Sequence, residues 1–135
     1  MEQYIRKYRN RNHFDLSCSE TIIYAANEKY TLGLSESHFK MMAPFSGGMY
    51  EKETCGIVTG AIAVLGIMFT KENSHNSPAL QEAVIEYKTR FKEMLGSRVC
   101  KTLIETQTDE IVGCDDLIVR GGILLQDVIE KYEKL

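Results

Sequence analysis

The sequence predicts an all-α protein, a small single-domain bundle of about five to six helices. Two observations carry this. Apolar residues recur at helical rather than alternating spacing in every long segment. The only prolines, Pro44 and Pro78, fall at segment boundaries, so no predicted element is interrupted. No internal repeat, low-complexity tract or defensible strand accompanies them, and 135 residues suffice for one core, so residues 1–135 are read as one domain.

The stretch 1–15 is read as a basic N-terminal arm carrying Arg6, Lys7, Arg9 and Arg11. It lacks the apolar run of a secretory signal, so the expected compartment is the cytosol, where thiols stay unlinked. The first helix is expected over 18–30. Ser17 and Glu20 form a capping box before it, Cys18, Ile22, Ala25 and Ala26 share its inner face, and Gly33 follows its end. A short helix over 36–42 has Ser35 as cap and Pro44 as stop. The loop Phe45-Ser46-Gly47-Gly48-Met49-Tyr50 then uses two glycines for tight or left-handed backbone.

The third helix is expected over 54–70, with Cys55 in its first turn. Gly56, Gly60 and Gly66 each cost about 1 kcal/mol in a helix interior, which implies close approach of another backbone or a cofactor. Ser77-Pro78 opens the fourth helix, Leu80, Val84, Tyr87, Phe91 and Leu95 form its stripe, and Gly96 closes it. Ser97 is read as the cap of a short fifth helix with Cys100, Leu103 and Ile104. The last helix, 114–134, has Cys114, Leu117, Ile118, Gly121, Leu125 and Val128 on one face, Asp115 and Asp116 in its first turn and Lys131 and Lys134 in its last.

Hydrophobic residues make up 44% of the chain and charged residues 26%, ordinary values for a globular domain. The net charge of −3, from 16 basic and 19 acidic residues, suggests no nucleic-acid partner. The most apolar run, 57–69, is shorter than the ~18 residues of a spanning helix, so membrane insertion is not expected. No Ser/His/Asp set, phosphate loop or carboxylate pair supports a hydrolase or a kinase. Asp115 and Asp116 diverge on a helix and are read as terminal charges.

The candidate chemistry is in the cysteines. Cys18, Cys55, Cys100 and Cys114 each stand at a predicted helix start, where unpaired N–H groups and the dipole favour a thiolate. No C-x-x-C pair is present, which argues against a thioredoxin-like motif, a zinc ribbon or c-type haem attachment. Any shared site must draw single ligands from distant segments. Against this stands the plain reading that cysteine is a common apolar core filler. His13, His38 and His75 are weaker metal-ligand candidates, with His38 the best placed beside the glycine loop. Met41, Met42 and Met49 are read as packing before copper ligation. Gly121 and Gly122 are read as a close-packing face. Thr59 is positioned to donate to the Cys55 sulfur, and Arg98 and Lys101 to favour a Cys100 thiolate.

The ordered set of Cys18, Gly47-Gly48, Cys55-Gly56-Ile57-Val58-Thr59-Gly60, Gly96-Ser97-Arg98-Val99-Cys100 and Cys114 resembles the C_GCAxxG_C_C family of redox-active proteins. Those are small all-helical proteins with four cysteines and a Cys-Gly-Ala-x-x-Gly motif. Ile57 stands where the family has alanine. The resemblance implies a redox role and an unspecified redox partner protein, and says little of a substrate.

With it, the first expectation is electron transfer or redox sensing, with Cys18, Cys55, Cys100 and Cys114 ligating an iron–sulfur cluster, most simply of the 2Fe–2S kind. Gly47, Gly48, Gly56, Thr59 and Gly60 are expected to line the site. The alternatives are a metal-free thiol–disulfide protein, a zinc-binding helical interaction module, and a structural protein whose cysteines only pack. A homodimer remains open because glycine-rich helix faces can serve an interface.

Overall fold

The strongly apolar helix that carries the Gly56/Gly60/Gly66 pattern organises the rest of the chain. The structure is a computed structural model that describes residues 1–109 and 113–135. Seven α-helices are found among the described residues: α1 (Glu2–Tyr8), α2 (Cys18–Tyr30), α3 (Glu36–Met42), α4 (Gly56–Phe69), α5 (Pro78–Leu95), α6 (Cys100–Gln107) and α7 (Asp115–Glu133). The described residues contain no strand, only one antiparallel bridge between Thr54 and Val99. The all-α expectation holds, with slightly more helices than the five to six expected.

α4 is packed by α2, α5 and α7. Ile57, Val58, Gly60, Ala61, Val64 and Leu65 of this helix are completely or almost completely buried. Glycine at position 60 lets α2 approach: a Cβ there would lie 2.9 Å from the Ser19 carbonyl oxygen and 3.1 Å from Ile22 Cβ. Ser19 is itself buried and donates from its hydroxyl to the Met42 carbonyl at 3.0 Å, which anchors the end of α3 against α2.

α5 buries Ala83, Tyr87, Phe91 and Leu95 at four-residue spacing. The Tyr87 hydroxyl donates to the Gly121 carbonyl at 2.9 Å, tying α5 to the middle of α7. A Cβ at Gly121 would run into Ile57 Cγ2, and one at Gly122 into Ile5 Cδ1. Gly60, Gly121 and Gly122 are therefore packed from within the chain, whereas Gly66 meets nothing within 4 Å.

The ends of the elements follow local chemistry. At α2, Ser17 Oγ accepts from the Glu20 N–H at 3.4 Å, and Glu20 Oε1 accepts from the Ser17 N–H at 3.1 Å. Pro78 stands in the first turn of α5, and Gly96, with φ +86°, terminates it. Ser77 does not cap α5 through its side chain; its hydroxyl donates to the Asn73 carbonyl and accepts from the Lys71 N–H. α6 starts at Cys100 with Val99 as its cap residue, and Ser97 Oγ accepts from the Val99 N–H at 3.0 Å.

The basic arm contains an unexpected element. Residues 2–8 form α1, which packs on α2 and α7 with Ile5 fully buried and Met1 nearly so. Two apolar residues suffice because Gly122 leaves a notch for Ile5. No described helix is long and apolar enough to cross a membrane.

Candidate cysteine site

All four cysteines stand at helix starts. Cys18 is the first residue of α2, Cys55 is the N-cap of α4, Cys100 is the first residue of α6 and Cys114 is the N-cap of α7. Cys55 and Cys100 are buried, Cys18 and Cys114 half-buried, and all four are free thiols.

Backbone hydrogen bonds bring two of these starts together. The Cys55 N–H donates to the Arg98 carbonyl at 2.8 Å, and the Cys100 N–H donates to the Glu53 carbonyl. With the Thr54–Val99 bridge between them, these bonds lock the entries to α4 and α6 side by side. Cys18 and Cys114 meet on the other side, where their side chains are joined by a hydrogen bond.

The four cysteines line one cavity of about 90 Å³. Gly47, Gly48 and Gly56 supply part of its wall, and Ile57, Leu103, Ile104 and Leu117 close it with apolar surface. At Gly48, with φ +64°, a Cβ would lie 2.8 Å from Cys100 Cβ and 2.6 Å from the Glu53 nitrogen. At Gly56 it would lie 3.4 Å from Cys18 Cβ. Glycine thus stands where another segment's cysteine comes closest.

The loop before α4 is a run of left-handed residues: Gly47, Gly48, Met49 and Tyr50 have φ values of +57°, +64°, +59° and +66°. For residues other than glycine this conformation costs roughly 1–2 kcal/mol each. The Glu53 N–H closes the run by donating to the Gly48 carbonyl at 3.0 Å.

The thiols differ in ionisation. The hydrogen bond from Cys18 lowers Cys114 to about 6; Arg9 and Arg11 act in the same direction, against burial and Asp115. Cys18 is pushed well up by that same bond and by burial. Burial pushes Cys55 up to about 11, against the N–H groups of Ile57 and Val58. Burial also raises Cys100, with Lys52 opposing.

Other expected site residues are placed elsewhere. Thr59 donates to the Gly56 carbonyl at 3.2 Å rather than to the Cys55 sulfur, because its hydroxyl follows the helix backbone. Gly60 faces Ser19 and Ile22, outside the cavity wall. His38 accepts from the Ser35 N–H at 3.1 Å at the start of α3, and His75 lies in the exposed turn before α5. Met42 is buried in the core and Met41 is 62% exposed. Among the described residues, no group of three or more His, Cys, Asp or Glu side chains is drawn together closely enough to hold a metal ion.

Two features of the site were not read from the sequence. Leu103, Ile104 and Leu117 were assigned to helix stripes, and periodicity cannot tell a cavity wall from a core. Arg9 stood only as one of the basic residues of the N-terminal arm, yet its side chain is 12% exposed and paired with Asp115. That pairing spans 106 residues and has no local signal.

No curated protein and no solved structure matches the chain. A family model does, over residues 16–128, described as "Putative redox-active protein (C_GCAxxG_C_C)". That span holds all four cysteines and every glycine of the cavity wall. The chain therefore belongs to the C_GCAxxG_C_C family.

Proposed function

We propose that this protein transfers or senses electrons through an iron–sulfur cluster held by Cys18, Cys55, Cys100 and Cys114. The observation that carries the reading is that four cysteines from four separate helix starts surround one small apolar cavity. At about 90 Å³ it is far below the ~300–1,000 Å³ of organic ligand pockets, which favours a small inorganic occupant over a flavin or nicotinamide. Thiolate donors suit iron–sulfur clusters and zinc alike. A single zinc ion needs all four sulfurs about 2.3 Å from one point, and the cysteines are not gathered that tightly. A cluster of several irons asks less, because each iron takes only part of the thiolate set.

The chain's own contributions are binding, water exclusion and electrostatics. Helix-start N–H groups and Arg9 favour negative charge at the sulfurs. The Ile57, Leu103 and Leu117 side chains limit water, and Gly47 and Gly48 leave one wall without bulk. A bound cluster would supply one-electron chemistry at a potential set by these surroundings.

The test is anaerobic reconstitution of the reduced full chain with ferrous iron and sulfide. Stoichiometric iron and acid-labile sulfide, with visible absorption bleached by dithionite, are expected. Protein that stays colourless and iron-free after this treatment overturns the reading.

A second reading is favoured by the hydrogen bond between Cys18 and the low-pKa Cys114. Here the Cys114 thiolate attacks a disulfide of a partner protein and one partner sulfur leaves as thiolate. Cys18 then loses its proton and displaces the other partner sulfur. The partner gains two electrons, and a Cys18–Cys114 disulfide is left. Reversible loss of two hydrogens by mass spectrometry in iron-free protein, mapped to these two cysteines, identifies it.

A further inference from the structure

The geometry points to Arg9 as the positioning residue of the cysteine site: one guanidinium ties the start of α2, which carries Cys18, to the start of α7, which carries Cys114. Arg9 Nη1 donates to the Leu16 carbonyl at 2.7 Å, two residues before Cys18. Arg9 Nε donates to Asp115 Oδ1 at 2.8 Å, one residue after Cys114. Among the described residues Arg9 reaches both starts with one side chain, and it is well buried for an arginine, at 12% exposure. Arg11 approaches the same Asp115 at 3.6 Å but is 65% exposed and reaches only the α7 side.

The choice of arginine has a physical reason. Its planar fork presents donors in fixed directions and can serve two acceptors on different elements at once. A lysine keeps the charge but offers one compact point of contact. Arg9 is held in turn by α1: its N–H donates to the Ile5 carbonyl at 2.9 Å, and Ile5 is fully buried beside Gly122. The family match begins at residue 16, so Arg9 and α1 lie outside it. The inference rests on the reading that the four cysteines are one working site, whatever the site holds.

The experiment uses the reduced, iron-free full chain and diamide as oxidant. The Cys18 and Cys114 thiols give two electrons and two protons to the azo group, forming one S–S bond and a hydrazine. The rate of the Cys18–Cys114 cross-link is followed by peptide mass spectrometry. The rate is recorded against pH for the parent and each variant, so that a shift in thiol ionisation, which moves the profile along the pH axis, is separated from misplacement, which lowers the rate throughout.

Arg9→Gln and Arg9→Lys are both expected to slow the cross-link at least about tenfold, because misplacement by ~1 Å costs up to ~100-fold in an oriented reaction. Arg11→Gln is expected to stay within about twofold, as an exposed charge contributes little. Asp115→Ala, which removes one arm of the tie without touching Arg9, is expected to fall between. Each variant is compared at a temperature where its helical circular dichroism equals that of the parent.

A parent rate in Arg9→Gln, or in Asp115→Ala if Arg9→Gln does not fold, overturns the proposal. So does full rescue by Arg9→Lys, which would leave only a charge effect. Failure of the parent to take up iron and sulfide removes the cluster reading and leaves this result standing.

Discussion

Ile57 is where this chain departs from the family's motif, and its environment allows a quantitative test. Its side chain is fully buried, lines the cysteine cavity and occupies the place that a Cβ on Gly121 would take. Ile57→Ala removes three carbons, a transfer loss of about 2.4 kcal/mol at ~0.8 per group. The space left behind brings the expected loss to about 3 kcal/mol, within the ~2–5 range of such changes.

Gly121→Ala alone gains about 1 kcal/mol of helix propensity and loses ~1–3 to the clash with Ile57. In the double variant the clash is gone and the new methyl enters the vacated space. Its other neighbours, Tyr87 Oη at 3.3 Å and Phe91 Cε2 at 3.4 Å, are close but tolerable. The Ile57→Ala/Gly121→Ala protein should therefore be about 1 kcal/mol more stable than Ile57→Ala, against a typical total of ~5–15. Urea unfolding of the reduced, iron-free chain measures all four corners of the cycle. Additivity within about 0.5 kcal/mol would refute the argument that these two residues compete for one volume.

Three further outcomes are expected. Gly60→Ala, meeting the Ser19 backbone, should destabilise by about 1–3 kcal/mol, whereas Gly66→Ala, with nothing within 4 Å, should stabilise by about 0.5–1; thermal melts separate them. Gly47 and Gly48 both have positive φ, but only Gly48 faces atoms within 4 Å, so Gly48→Ala should cost more than the ~1–2 kcal/mol expected of Gly47→Ala and should also lower iron uptake. The depressed Cys114 thiol means the unfolded chain binds more protons above pH 6, so stability should rise from about pH 6 toward the ordinary thiol range. Above that range it should fall, because the raised Cys18 and Cys55 keep protons that the unfolded chain loses; urea midpoints against pH report both limbs.

What the sequence made legible was whatever depends on neighbours along the chain. Ser17 with Glu20, Pro78 and Gly96 mark helix ends through contacts within four residues, and they stand where they were expected. The four cysteines were recognisable as helix starts for the same reason. The α1 helix was missed because only Ile5 and Met1 bury, and what they bury against is a glycine more than a hundred residues away. Met49 and Tyr50 continue the left-handed backbone begun by two glycines, and neither residue type signals that conformation. Thr59 was aimed at a sulfur by spacing alone, whereas its hydroxyl has a nearer acceptor in its own helix. Arg9 could not be told from the other basic residues of the N-terminal arm, because its two acceptors come from separate parts of the chain.

The central claim is that four cysteines act as a single site, and the iron content of the four single cysteine-to-serine variants tests it most directly. After anaerobic reconstitution, Cys18→Ser, Cys55→Ser, Cys100→Ser and Cys114→Ser should each lose most of the parent's iron while keeping its helical signal. A parent level of iron in any one of them would show that the cavity does not work as a four-thiolate unit.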